Sequence, residues 1–218
     1  MNIRSYNTLV FDCDGVVLDS NKVKTEAFYQ SALPYGERAA QSLVNYHKDH
    51  GGISRYRKFA LFLEEMVASG TEGPSLESLL AAYSKQVRVG LLHCPAAKGL
   101  EAMREASPKS RWLIVSGGDQ QELRHVFRER SLDTLFDGGI FGSPDSKNEI
   151  LKRECISGNI AAPALFLGDS RYDHLAASTA GIDFAFISQW TEFRGWCEYC
   201  SENNIRSFHS LQALSEQD

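Results

Sequence analysis

The stretch Leu9-Val10-Phe11-Asp12-Cys13-Asp14-Gly15-Val16-Val17-Leu18-Asp19-Ser20 decides how this chain is read. Apolar strand formers end abruptly in two carboxylates spaced two apart, then a glycine. Side chains at i and i+2 share one side of an extended chain, so Asp12 and Asp14 can converge at the strand's carboxyl end. In open parallel sheets that edge is where ligands bind. Two carboxylates held together stay ionised only beside positive charge. A divalent cation would supply it, and all-oxygen donors suit magnesium better than a softer metal. The same letters also suit a strand followed by an ordinary acidic turn, so residues further along must decide.

Outward from this stretch, 218 residues are enough for one domain, or a domain with a modest insertion. An apolar content of 43% allows a substantial core. The 23 basic and 28 acidic residues give a net charge of −5 without long blocks of either sign. That disfavours a nucleic-acid surface, which needs clustered Lys and Arg. No apolar run approaches the roughly 20 residues that span a bilayer, so no membrane contact is expected. Residues 1–8 are short and polar and do not read as a signal peptide. Cys13, Cys94, Cys155, Cys197 and Cys200 are odd in number and lack framework spacing. They read as reduced thiols of a cytoplasmic protein. Cys197 and Cys200 form a lone C-x-x-C, at most half of a zinc site.

After Ser20 the pattern turns helical for some seventy residues. Asn21 to Leu33 is stopped by Pro34, and Glu37 to His50 ends at Gly51-Gly52. Phe59, Phe62, Leu63, Met66 and Val67 mark a third helical face, and Leu76, Leu79, Leu80, Tyr83 and Val87 a fourth. Four amphipathic helices without a strand resemble a small bundle inserted into a host fold. From Pro95 onward, strand and helix alternate, the signature of a parallel α/β sheet. Strands are expected at 111–115, 139–141, 164–168 and 184–187, with a short last one at 206–208. Helices are expected at 99–106, 119–130, 146–153 and 172–180. The resulting architecture is a Rossmann-like parallel sheet with helices on both faces and an all-α insertion. Residues 1–19 and 94–218 form the core, and 20–93 the cap.

Three later strand ends add polar groups. Ser116-Gly117-Gly118 follows Val115; a hydroxyl and small-residue amides before a helix make an anion site, although a capping or turn serine reads the same way. Asp169 follows a strand and Asp173 lies one helical turn on, so both could face one cation, or cap a helix. Lys147 opens a helix after Ser146, where a lysine is usually solvated. Charge changes that reading. Asp12, Asp14, Asp169 and Asp173 bring four negative charges, magnesium offsets two, and a phosphate adds up to two more. A fixed ammonium is then required, and Lys147 is placed to supply it.

Taken together, these residues resemble the haloacid dehalogenase superfamily of hydrolases, in the helical-cap branch of the phosphoglycolate phosphatases and beta-phosphoglucomutases. The resemblance runs through four motifs in order: the D-x-D-G-V-x-x-D-S segment at 12–20, Ser116, Lys147, and Gly168-Asp169-Ser170-x-x-Asp173. It implies a magnesium-dependent phosphatase acting on a small phosphorylated metabolite. Asp12 would attack phosphorus to form an aspartyl-phosphate, and Asp14 would act as general acid and then base. Asp14 would hold its first proton because neighbouring carboxylates raise its affinity for one. Asp12, the Asp14 carbonyl, Asp169 and Asp173 would bind the metal, while Ser116, the Gly117 amide and Lys147 hold phosphoryl oxygens. Asp19 reads as a hinge residue.

The inserted helices would act as a lid, hinged near Ser20-Asn21 and near His93-Cys94-Pro95. Arg55 and Lys58, which share a helical face in a basic segment after Gly51-Gly52, are the expected substrate contacts, or else a solvated basic helix end. Asp14 disfavours a dehalogenase. A sugar phosphomutase stays open, as does a phosphonate hydrolase using Lys22, Lys24, Lys48 or Lys58. A non-catalytic ligand-binding relative is the remaining alternative.

Overall fold

The computed structural model describes residues 1–216. Six strands form one sheet: β1 (Thr8–Phe11), β2 (Arg111–Asp119), β3 (Gly139–Ser143), β4 (Ala164–Gly168), β5 (Asp183–Ile187) and β6 (Arg206–Phe208). Their spatial order is β3-β2-β1-β4-β5-β6, and every neighbouring pair is parallel. Chain direction across the sheet reverses at β1, so a crevice opens between the ends of β1 and β4, where doubly wound α/β folds bind ligands.

Alternation along the strands divides the core into two layers. Leu9, Phe11, Trp112, Ile114, Leu165 and Leu167 face one way, against α5 (Leu100–Ala106), α6 (Gln120–Glu129) and α10 (Leu211–Ser215). Val10, Leu113, Val115 and Phe166 face the other, against α7 (Lys147–Ile156) and α8 (Arg171–Ala180). The Phe11 ring lies tilted 4.7 Å from Trp112 and edge-on 5.6 Å from Phe136, so the strand that carries Asp12 is clamped by aromatic rings. Each such side chain contributes roughly 2 kcal/mol by burial. A rigid frame of this kind can hold carboxylates whose own burial is costly.

Between β1 and β2 the chain forms α1 (Asn21–Ala32), α2 (Glu37–Asp49), α3 (Arg55–Leu61) and α4 (Leu76–His93). Phe28, Leu43, Phe59, Phe62 and Tyr83 make their apolar centre. The connections into and out of these helices run side by side: Ala97 N–H donates to Val17 O at 2.8 Å and Asp19 N–H to Pro95 O at 2.9 Å. No described helix is long and apolar enough to cross a membrane.

Several boundaries differ from the sequence reading. α3 ends at Leu61 and passes into a π turn over Phe62–Met66, so the third helical face is carried by two geometries. β2 runs on to Asp119 rather than stopping at Val115. Its register slips between Val115 and Asp119, where Ser143 Oγ donates to the Gly117 carbonyl at 2.5 Å and stitches the irregular stretch to β3. The chain after β5 contains α9 (Trp196–Glu202) and α10, neither of which the periodicity marks. The five cysteines are free thiols, with Cys197 exposed and Cys200 buried on α9.

Candidate active site

The strand ends gather the polar residues of all four motifs. One carboxylate oxygen each from Asp12, Asp169 and Asp173 lies within 4.8 Å of the others, and all three residues are buried. Lys147, the first residue of α7, reaches both Asp12, at 2.8 Å, and Asp173. A capping box between Ser146 and Glu149 fixes the turn that aims this lysine inward. Burial alone would strip its charge, but the two carboxylates hold the ammonium well above its usual range. Asp12 Oδ1 accepts from Lys147 and from Cys13 N–H at 2.7 Å, which pins one oxygen and leaves the other to react. Burial, with Asp173 and Asp14 nearby, pushes the Asp12 carboxyl up to about 7 despite Lys147. Burial and the charges of Asp12 and Asp173 likewise raise Asp169 well above the carboxylate range. Three buried carboxylates sharing one ammonium make a site short of positive charge, with oxygen donors that fit a hard divalent cation.

Asp173 is the most heavily engaged of the three. Its Oδ2 accepts from Ser170 N–H at 3.1 Å and from Ser170 Oγ at 2.6 Å in a second capping box, and its Oδ1 faces Lys147. Gly168 is obligatory here, because a Cβ would run into the Asp173 side chain.

Asp14 turns away from this cluster. Ser20 Oγ donates to its Oδ1 at 2.6 Å, and Lys24 of α1 forms an ion pair with Oδ2. Ser116 Oγ lies 3.4 Å from the same oxygen. Burial would raise the Asp14 carboxyl, but Lys24 and Ser20 overcome it and hold the group below its ordinary value. The expectation that neighbouring carboxylates keep Asp14 protonated is therefore corrected: a cap ammonium dominates. Ser116 is fully buried and its Oγ accepts from Gly118 N–H at 3.0 Å. Gly117 lines the crevice and tolerates no Cβ, since the Gly52 carbonyl of the insertion sits against it. The helix expected at 119–130 is α6, which begins at Gln120 with Asp119 as its N-cap, accepting from Glu122 N–H at 2.9 Å.

The insertion closes this crevice into a cavity of about 280 Å³. Both Arg55 and Lys58 are buried in it, so neither is a solvated helix end. They differ in engagement. Arg55 makes a two-armed ion pair with Glu122 of α6, at 2.5 and 3.1 Å, donates to Ser84 and stacks 4.7 Å from the Tyr83 ring centroid. It joins insertion to core through the Glu122 carboxylate. Lys58 donates to His47 Nδ1 at 2.7 Å and faces the Phe28 ring. Burial, with Lys24 and Lys147 adding repulsion, lowers its ammonium to about 7.

Motif spacing missed several lining residues. Lys24 enters one helical turn after Ser20, a spacing that returns its side chain toward Asp14. Tyr83 belongs to an apolar helical stripe and looked like packing, and nothing in the motifs marked His47. The loop 188–195 carries Thr191, Glu192 and Phe193 into the cavity wall, and Glu192 holds the insertion through Thr25, at 2.5 Å, and Lys48, at 3.6 Å. Nothing periodic marks that loop.

The sequence profile of the haloacid dehalogenase-like hydrolases matches residues 6–181, and the chain belongs to that family. No curated protein sequence gives a significant match. Among solved structures, a haloacid dehalogenase-like family hydrolase of Streptococcus pneumoniae is 18% identical with a TM-score of 0.70, covering 98% of this chain and 99% of that one. A provisionally assigned phosphoglycolate phosphatase of Lactobacillus plantarum is 18% identical with a TM-score of 0.72, covering 97% and 99%. CbbY of Rhodobacter sphaeroides, solved with phosphate, is 16% identical with a TM-score of 0.66, covering 87% and 89%. At these identities the likeness establishes the fold, and the chemistry rests on the site.

Proposed function

We propose that the protein is a magnesium-dependent phosphatase that hydrolyses a phosphate monoester of a small metabolite through an aspartyl-phosphate on Asp12. The observation that carries this reading is the Asp12–Asp169–Asp173 cluster with Lys147 bridging two of its members at the strand ends. Asp12, Asp169 and the Asp14 carbonyl would hold magnesium, with Asp173, whose oxygens already have protein partners, helping through water. Bound there, the cation would neutralise carboxylates and phosphoryl oxygens so that an anionic nucleophile can approach an anionic ester.

The unpinned oxygen of Asp12 attacks phosphorus and the bond to the ester oxygen breaks. Ser116 Oγ, the Gly117 amide and Lys147 hold the remaining phosphoryl oxygens as charge shifts toward the leaving group. The leaving oxygen takes its proton from the Lys24 ammonium, relayed through the Asp14 carboxylate ion-paired with it. Asp14 then removes a proton from water, whose oxygen attacks phosphorus and releases inorganic phosphate, restoring Asp12. Residues 20–93 act as the cap over a core of 1–19 and 94–218, and Lys58 meets the part of the substrate beyond the phosphoryl group. Arg55 takes part by holding the cap down. A cavity of this size admits a small metabolite and excludes a polymer.

A panel of small phosphate esters with millimolar magnesium tests the assignment. Wild-type protein should release inorganic phosphate from at least one of them, and Asp12→Asn should lose that activity by on the order of 10⁴-fold or more. Isomerisation of a hexose phosphate without phosphate release would indicate a mutase instead. A second reading, a phosphonate hydrolase, draws on one observation: Lys58 is buried with its ammonium lowered to about 7, as an amine nucleophile requires. Borohydride trapping of a carbonyl substrate on Lys58 would establish that alternative.

A further inference from the structure

Asn21 belongs to none of the four motifs, yet it touches the metal cluster. It is the first residue of α1, and its Nδ2 donates to Asp169 Oδ2 at 2.8 Å and to the Trp190 carbonyl at 2.9 Å. The Trp190 carbonyl can only accept, so the amide nitrogen must be the atom facing it. Across the same residue, Thr191 Oγ1 donates to the Asp169 main-chain carbonyl at 2.6 Å. Gly15 completes the enclosure, because a Cβ there would collide with the Asp169 carboxylate and the Asn21 amide. Asp169 is thus gripped from the first cap helix, from the 188–195 loop and from the turn after β1. One of its oxygens is fixed and the other is left for a cation. A carboxylate ligand held in this way binds metal more tightly than one free to rotate, because its orientation is settled beforehand.

We infer that Asn21 is a positioning residue of the cation site, fixing Asp169 so that helix α1 and the 188–195 loop help set the affinity of the core for its divalent ion. This rests on reading the aspartate cluster as a magnesium site. It predicts an effect on binding in the absence of any substrate.

The experiment titrates magnesium into substrate-free protein and follows heat release and melting temperature. For Asn21→Ala, the magnesium dissociation constant should rise by about tenfold or more, while the metal-free melting temperature stays within a few degrees of wild type. An Asn21→Ala protein with the wild-type constant overturns the inference, whatever its melting temperature. Should that variant not fold, Asn21→Asp reads the same contact. A second charge beside Asp169 should lower the metal-free melting temperature, and magnesium should restore it by more than it raises wild type. An Asn21→Asp protein with wild-type melting temperature and wild-type magnesium response overturns the inference equally. Wild-type protein that binds no divalent ion would remove the site itself. Unchanged binding in the Asn21 variants removes only this assignment.

Discussion

The two walls of the cavity carry opposite charge and are built on different principles. The core wall presents Asp12, Asp14 and Asp169 at the ends of buried strands, while the cap wall presents Lys24, Arg55 and Lys58 from helices. On the core side, positions follow from sheet register, and each carboxylate is held by its own partners: Asp12 by Cys13 N–H and Lys147, Asp14 by Ser20 and Lys24, and Asp169 by Asn21. On the cap side, positions follow from helix packing, and two of the three cations are anchored by carboxylates of the core. Across the cavity, carboxylates of the core therefore answer cations of the insertion. Lys58 is the exception. It is buried with a neutral histidine as its hydrogen-bond partner, which is why burial pushes it down while Lys24 and Arg55 are held above their usual values.

This contrast can be broken by substitution. The largest effect in the cap is expected from Lys24→Met, which removes the partner of Asp14. The maximal rate should fall by about 100-fold, with the remaining activity shifted in its pH profile, because Asp14 then titrates without its ammonium. A variant that alters only the Michaelis constant would place Lys24 among substrate contacts and remove its role as the proton source behind Asp14. Lys58→Met should do the reverse. A rise of about tenfold in the Michaelis constant with the maximal rate nearly kept is the expected result. Steady-state kinetics on the best ester of the panel distinguishes the two.

The smallest effect concerns pH. Burial places the Asp12 carboxyl at about 7 in the metal-free fold, against 3.8 ordinarily. Between those values the folded chain keeps a proton that the unfolded chain gives up. The contribution of Asp12 to stability is thus greatest below about pH 4 and declines as pH rises toward about 7. Magnesium must displace that proton, so the magnesium-induced rise in melting temperature should be a few degrees larger at about pH 8 than at about pH 5. Equal shifts at both would mean that Asp12 is ionised throughout and its surroundings are wetter than the closed cavity implies.

How legible the site was depends on which wall a residue belongs to. Asp12 and Asp169 could be read because a strand end is a local signal: an apolar run stops and a polar residue follows; Lys147, at a helix start where a lysine is usually solvated, was singled out only by the positive charge that the aspartates call for. The proton affinity of Asp14 could not be read, since it depends on Lys24 folding back over it. Arg55 looked like a substrate contact because its partner, Glu122, lies 67 residues away on another helix. The extension of β2 past Val115 was hidden as well, because glycines at 117 and 118 read as a turn, whereas Ser143 holds them to the sheet.

By itself the sequence determined the alternating parallel sheet, the helical insertion between its first two strands and the acidic strand ends. Those are properties of periodicity and of residues adjacent in the chain. Only the tertiary structure decided which cations answer which carboxylates, that Asn21 and the 188–195 loop grip Asp169, and that Lys58 meets a histidine. Charges interact through space, and their pairing is fixed by packing that brings distant segments together.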